Sequence, residues 1–107
     1  MRKILLVDND ITFIWGLKKY LQRRGYAVET AATLAEAREM IKQEAPLLIC
    51  SDLCLPDGSG LELLAEVRTC NKDTPFIIAS CYEKDDYEQE ALQHGVTICM
   101  DTVSYTH

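Results

Sequence analysis

No stretch of the 107 residues approaches the roughly 20 consecutive apolar positions that a membrane-spanning helix needs, and no cleavable signal follows Met1. Basic residues are in deficit: 11 Lys and Arg stand against 17 Asp and Glu, a net charge of −6. A surface of that sign repels phosphate backbones and anionic lipids, so no direct contact with nucleic acid or a membrane is expected. The five cysteines, Cys50, Cys54, Cys70, Cys81 and Cys99, are odd in number and contain no C-x-x-C pair. That excludes a complete disulfide framework and a zinc ribbon. Four of them lie in or beside apolar runs, which predicts small buried thiols in a reducing compartment, and the cytoplasm is the expected location. Linkers, low-complexity segments and internal repeats are missing too. The length suits a single domain over 1–107, whole or cut from a longer chain.

What the chain has is an alternation of short apolar runs with amphipathic stretches. Lys3–Val7 reads as a strand buried on both faces, and it stops abruptly at Asp8, Asn9 and Asp10. Asp10 is placed to cap a helix carrying Ile14, Leu17 and Leu21 on one side, with Gly25 to end it. Tyr26–Thr30 is a brief second strand. Thr33 with Glu36 forms a T-x-x-E capping box ahead of the stripe Leu34, Ala37, Met40 and Ile41, and Pro46 stops that helix. Leu47–Ser51 is a third buried strand, ending on Asp52. A Pro56-Asp57-Gly58 turn leads to a second box, Ser59 with Glu62, and to a helix bearing Leu61, Leu64 and Val67. Phe76–Ala79 is a fourth strand ending at Ser80. The stretch from Lys84 to His94 has helical spacing, with Tyr87, Ala91 and Leu92 as anchors, and Val96–Met100 reads as a fifth strand.

Strands separated by helices argue for a parallel α/β sheet, because parallel strands need crossover connections. Right-handed crossovers reduce the topologies to a few open, doubly wound sheets. In such sheets ligands bind outside the carboxyl ends of the strands at the switch point. Asp8, Asp52 and Ser80 stand at three strand ends, with Asn9 and Asp10 flanking the first. Each also has an architectural role open to it, as a helix cap, a turn cap or a strand terminator. If the first and third strands are neighbours, the two carboxylates converge and repel, and a divalent cation relieves the repulsion. Few carboxylates plus waters suit Mg²⁺, which shares its shell with phosphate. A carboxylate in that setting can take a phosphoryl group as an acyl phosphate, with the Ser80 hydroxyl available to a phosphoryl oxygen.

The segments V-D-N-D at 7–10, S-D-L-C-L-P-D-G-S-G at 51–60 and I-I-A-S at 77–80 resemble a bacterial response-regulator receiver domain, over nearly the whole chain from Met1 to about Met100. The resemblance implies a flavodoxin-like, five-stranded parallel sheet of order 2-1-3-4-5 with helices on both faces. It implies two-component signalling, in which Asp52 accepts a phosphoryl group from a histidine kinase or phosphotransfer protein. Asp8 and Asn9 would hold Mg²⁺ directly or through water, Cys54 would offer its backbone carbonyl to the metal, and Ser80 would be the hydroxyl that moves towards the phosphoryl group. Pro56 and Gly60 match the turn after the acceptor. The output surface would lie around the fourth helix and fifth strand.

Four positions depart from that pattern. The family's lysine–proline pair falls on Thr102 and Val103, leaving transition-state charge to Mg²⁺ and backbone donors. Asn9 replaces a carboxylate, which weakens metal binding by one charge. Cys99 occupies the aromatic switch position. Seven residues remain after Met100, about 10 Å of helix at 1.5 Å per residue, so the fifth helix is expected to be missing or truncated. The sheet face beside the first helix, with Phe13 or Trp15, would then lie open and favour a homodimer. The alternative functions are a pseudo-receiver that binds partners with weak or no phosphorylation, a thiol-redox domain, and a flavin-binding domain. The last two are disfavoured by the lack of a basic neighbour for a thiolate and by the acidic first loop.

Overall fold

Strand β1 (Ile4–Val7) is buried along its length and pairs in parallel with β2 (Val28–Ala31) on one side and β3 (Leu48–Ser51) on the other. The computed structural model describes residues 2–70, 73–80 and 87–101. Between these strands run α1 (Ile11–Arg23) and α2 (Leu34–Gln43). After β3 comes a two-stranded antiparallel ribbon, β4 (Cys54–Leu55) and β5 (Gly58–Ser59), then α3 (Gly60–Thr69), β6 (Phe76–Ser80), α4 (Glu88–Gln93) and β7 (Ile98–Asp101). The main sheet is parallel throughout with order β2-β1-β3-β6-β7. Counting only its strands, this is the 2-1-3-4-5 order of the flavodoxin-like fold.

Capping chemistry sets the helix starts. The Asp10 carboxylate accepts from Phe13 N–H at 3.1 Å, and Thr33 Oγ1 accepts from Glu36 N–H at 3.1 Å. The Ser59–Glu62 capping box closes, Ser59 Oγ accepting from Leu61 N–H and Glu62 from Ser59 N–H. The Thr33 box closes one residue early, since Glu36 accepts from Ala32 N–H at 3.4 Å. Gly25 and Gly95, at φ 92° and 82°, turn the chain out of α1 and α4 as their positions predict.

The two sheet faces differ. Leu5, Val7, Ile49, Phe76 and Ile78 point to one face and pack with Leu34 and Ala37 of α2, Leu63, Leu64 and Val67 of α3, and Ala91 of α4. Leu6, Leu48, Cys50, Ile77 and Ala79 line the opposite face with Phe13, Leu17 and Leu21 of α1, and there they leave a groove of about 310 Å³. None of α1's side chains is fully buried. Among the described residues, nothing fills this groove.

Several expectations need correction. Leu92 is exposed and does not anchor α4; Tyr87 and Ala91 are buried and do, with the Tyr87 hydroxyl donating to the Met100 carbonyl at 3.4 Å. Leu92 lies 100° further round the short helix. Trp15 points to solvent while Phe13 faces the groove. Cys54 is exposed, because side chains alternate along β4 and Leu55 takes the inward position. Cys70 is exposed as well, and Cys50 and Cys99 are half-buried. The second and fifth strands begin two residues later than the apolar runs suggest. Cys81, residues 84–86 of the expected helix, and Thr102, Val103 and the question of a fifth helix lie outside the described residues.

Candidate functional site at the carboxyl ends of the strands

Parallel register creates the site. Val7 pairs with Ser51, and the pairing runs one residue further, where Asp52 N–H donates to the Val7 carbonyl at 2.8 Å. On the other side Asp8 N–H donates to the Ala31 carbonyl at 2.9 Å. Asp8 and Asp52 therefore emerge side by side above the central pair of strands. With Asn9, Asp10, Phe13, Ala79 and Ser80 they line a cleft of about 140 Å³. Four of the five predicted site residues, Asp8, Asn9, Asp52 and Ser80, meet in this cleft. Cys54 does not line it; it opens the ribbon two residues beyond Asp52.

The carboxylates are held in orientation and under electrostatic stress. Asp8 Oδ1 accepts from Asp10 N–H at 2.9 Å, and Asp52 Oδ1 accepts from Leu53 N–H at 2.7 Å. Partial burial nevertheless raises both acids above the ordinary value of 3.8, with the charge of Asp52 adding to the effect on Asp8 and that of Asp10 adding to both. Cys50, beneath them, is pushed up to about 11 by burial, then by Asp8 and Asp52. Its thiol stays protonated near neutrality, so Cys50 is a poor nucleophile for a thiol-redox role. Ser80 ends β6 with only 2% of its surface exposed, at the wall of the cleft.

Backbone packing fixes Asp52 from below. Ser51 Oγ donates to the Asp52 carbonyl at 2.9 Å, and Gly60 N–H donates to the Leu53 carbonyl at 2.8 Å. A Cβ on Gly60 would collide with the Asp52 carbonyl oxygen and crowd Ser51 Oγ, so only glycine lets the start of α3 pass this close. Two features here escaped the sequence. The turn at Pro56–Asp57 belongs to a ribbon, and Asp57 accepts hydrogen bonds from the start of α2, a contact between residues 23 positions apart that no local pattern signals.

The donor set suits a divalent cation. Two carboxylates strained by partial burial, a neutral Asn9 amide and room for water match a small hard ion that keeps part of its hydration shell. Among the described residues no group of three His, Cys, Asp or Glu side chains forms a closed metal cage.

A doubly wound domain with an acidic cleft at its switch point is a class shared by several families, and comparison with known proteins resolves which. The response regulator receiver domain family matches residues 4–101, and the chain belongs to that family. The photosynthetic apparatus regulatory protein RegA of Cereibacter sphaeroides is 33% identical over 96 residues, covering 90% of this chain and 52% of the relative. The acid tolerance regulatory protein ActR of Rhizobium meliloti is 36% identical over 81 residues, 76% of this chain and 42% of the relative. The chain thus spans about half or less of the length of these curated relatives. Among solved structures, the chemotaxis protein CheY4 of Vibrio cholerae superimposes with a TM-score of 0.87 at 31% identity, covering 95% of this chain and 87% of that one. A response regulator protein from Burkholderia pseudomallei, crystallised with a phosphorylated aspartic acid, a calcium ion and citrate, gives 0.87 at 27% identity, covering 95% and 60%. The family is regulatory, and the Burkholderia pseudomallei protein carries a calcium ion together with its phosphorylated aspartic acid. Among the described residues no helix is long and apolar enough to cross a membrane.

The electrostatic stress has a measurable consequence. Because both folded-state values lie above 3.8, the unfolded chain ionises first as pH rises, so ionising Asp8 and Asp52 costs stability from that pH upward. At pH 7 without divalent cation, Asp8→Asn and Asp52→Asn are each expected to melt a few degrees above the wild type, and the gain should vanish below pH 3.8. A lower melting temperature in both variants would contradict the reading.

Proposed function

We propose that this chain is a phosphorylation-dependent signalling module whose acceptor is Asp52. The observation that carries the reading is the placement of Asp52 beside Asp8, with Ser80 at the wall of the same cleft. In the transfer, an Asp52 oxygen attacks phosphorus and the phosphorus–nitrogen bond of a donor phosphohistidine breaks. The imidazole leaves with the electron pair and takes up a proton. The donor is a histidine kinase or a phosphotransfer protein. The Leu53 N–H holds the acceptor carboxylate's rotation, and Ser80 is the hydroxyl available to a phosphoryl oxygen.

Mg²⁺ is the proposed cation: Asp8, Asn9, Asp52 and the Cys54 carbonyl would hold it, and it would supply charge neutralisation for the incoming phosphoryl oxygens. Asn9 contributes one negative charge fewer than a carboxylate, which lowers the cation's affinity. Any catalysis is confined to transfer onto Asp52 and hydrolysis of the product. Receipt of the group by a single module over 1–107 in the cytoplasm then alters partner binding, with nucleic acid outside its direct reach at a net charge of −6.

Two surfaces support the partner reading. Ile11 and Trp15 of α1 are 83% and 63% exposed; Ile11 follows directly on the cleft residue Asp10 and Trp15 lies one helical turn beyond it, together offering an apolar patch to a phosphodonor protein. The groove between α1 and the sheet supports self-association, since a second copy brings the same apolar face in a two-fold arrangement. Sedimentation equilibrium is expected to show a concentration-dependent dimer that Leu17→Glu weakens; a monomer throughout would remove this element.

Intact mass after incubation with Mg²⁺ and a small phosphodonor tests the main reading. One added phosphoryl group is expected, absent from Asp52→Asn and reduced severalfold when Mg²⁺ is chelated. No gain in a folded wild type would overturn the acceptor assignment in favour of a pseudo-receiver.

A further inference from the structure

The ribbon that follows the acceptor is fastened at its far end to a different part of the fold. Asp57, at its tip, places Oδ1 on Leu34 N–H at 2.7 Å and Oδ2 on Ala35 N–H at 3.0 Å. These are the first two amides of α2, and a helix leaves its first four amides without partners of its own. Thr33 Oγ1 satisfies the third, accepting from Glu36 N–H, and the Thr33 carbonyl takes the first regular helical bond, from Ala37 N–H. The start of α2 is therefore capped by two residues, one local and one reaching across from the acceptor loop. Apolar packing follows the same path. Leu34 is buried, and a Cβ on Gly58 would stand 2.8 Å from its Cδ2, so ribbon and helix are in close contact. Leu55, on the adjacent ribbon strand, is buried in the same core.

We propose that Asp57 is a positioning residue for the Asp52 loop: by gripping the first turn of α2 it holds the 53–60 segment, which carries the Cys54 carbonyl, in place beside the cleft. The loop is then tied at three points. Asp52 N–H is bonded to β1, Gly60 N–H closes on the Leu53 carbonyl, and Asp57 is bonded to α2. Without the third, the ribbon keeps its sequence neighbours but loses its lateral support. The proposal rests on the acceptor and metal reading above for its functional consequence, and on the hydrogen bonds alone for its structural one.

The test compares Asp57→Ala with Thr33→Ala. Both remove hydrogen-bond acceptors from the same helix end, while only the first releases the ribbon. In the metal-free protein, amide hydrogen exchange at Gly60 is expected to speed up in Asp57→Ala and to stay at the wild-type rate in Thr33→Ala. The Mg²⁺ concentration giving half-maximal phosphorylation is expected to rise roughly 10-fold in Asp57→Ala, in the range seen when a residue supporting a metal ligand is lost, with the rate at saturating Mg²⁺ nearly unchanged. Thr33→Ala should leave that midpoint in place. Asp57→Asn, which keeps one accepting oxygen, should fall between and covers the case in which the alanine variant folds poorly. Equal effects of the Asp57 and Thr33 variants on exchange and midpoint would reduce Asp57 to a helix cap and overturn the proposal. Failure of the wild type to take up phosphate at any Mg²⁺ concentration would overturn the acceptor reading instead, and the exchange comparison would still decide whether Asp57 holds the loop.

Discussion

Two half-buried carboxylates on adjacent parallel strands cannot both ionise cheaply, and much of this molecule follows from that constraint. The β1–β3 register brings Asp8 and Asp52 to the same edge of the sheet, where partial burial raises both acids and charge repulsion adds to the effect. An apolar pair at those positions would be more comfortable for folding alone. A site that stores unfavourable charge in this way is prepared for a cation and for an incoming electrophile, whose arrival relieves it. Asp57 shows the opposite arrangement. Its two bonds to amide groups of α2 hold its carboxyl below 3.8, so its contribution to stability is complete above that pH and fades only as acid protonates it.

The strand–helix alternation and the site's location were legible because both depend on short-range patterns. The sheet order followed instead from the family resemblance, since the pattern alone left a few open topologies. Ile4–Val7, Leu48–Ser51 and Phe76–Ser80 are continuous apolar runs that end on polar groups, and each Asp or Ser terminator falls at the cleft. Asp10, Thr33 and Ser59 capped the helices they preceded. The misses share a physical cause. Cys54 sits between two leucines yet faces solvent, because alternation along two residues of ribbon decides its direction. Leu92 looked like an anchor, but a six-residue helix buries only one narrow stripe, and Ala91 occupies it. Asp57 read as a turn residue; its bonds to Leu34 and Ala35 exist only once β2, α2 and the ribbon are assembled.

The unequal faces of the sheet belong to the same logic. Contacts from α2, α3 and α4 concentrate the core on the face that also supports the loop after Asp52, through Leu53 and Leu55. The denser packing lies beneath the loop that follows Asp52. The α1 face is packed more loosely and meets the cleft at Phe13, a side chain that lines both the groove and the site. Anything that fills the groove thus touches a residue of the cleft, and the two regions share a wall.

The central claim is that Asp8 and Asp52 form one cation site at the strand ends. A Mg²⁺ titration followed residue by residue in amide NMR spectra tests it most directly. The account predicts saturable shifts largest at Asp8, Asn9, Asp10, Leu53 and Cys54, reaching Ser80, and abolished by Asp8→Asn with the rest of the spectrum retained. Shifts scattered over the exposed acids of α2 and α3, or a response that survives Asp8→Asn unchanged, would contradict it.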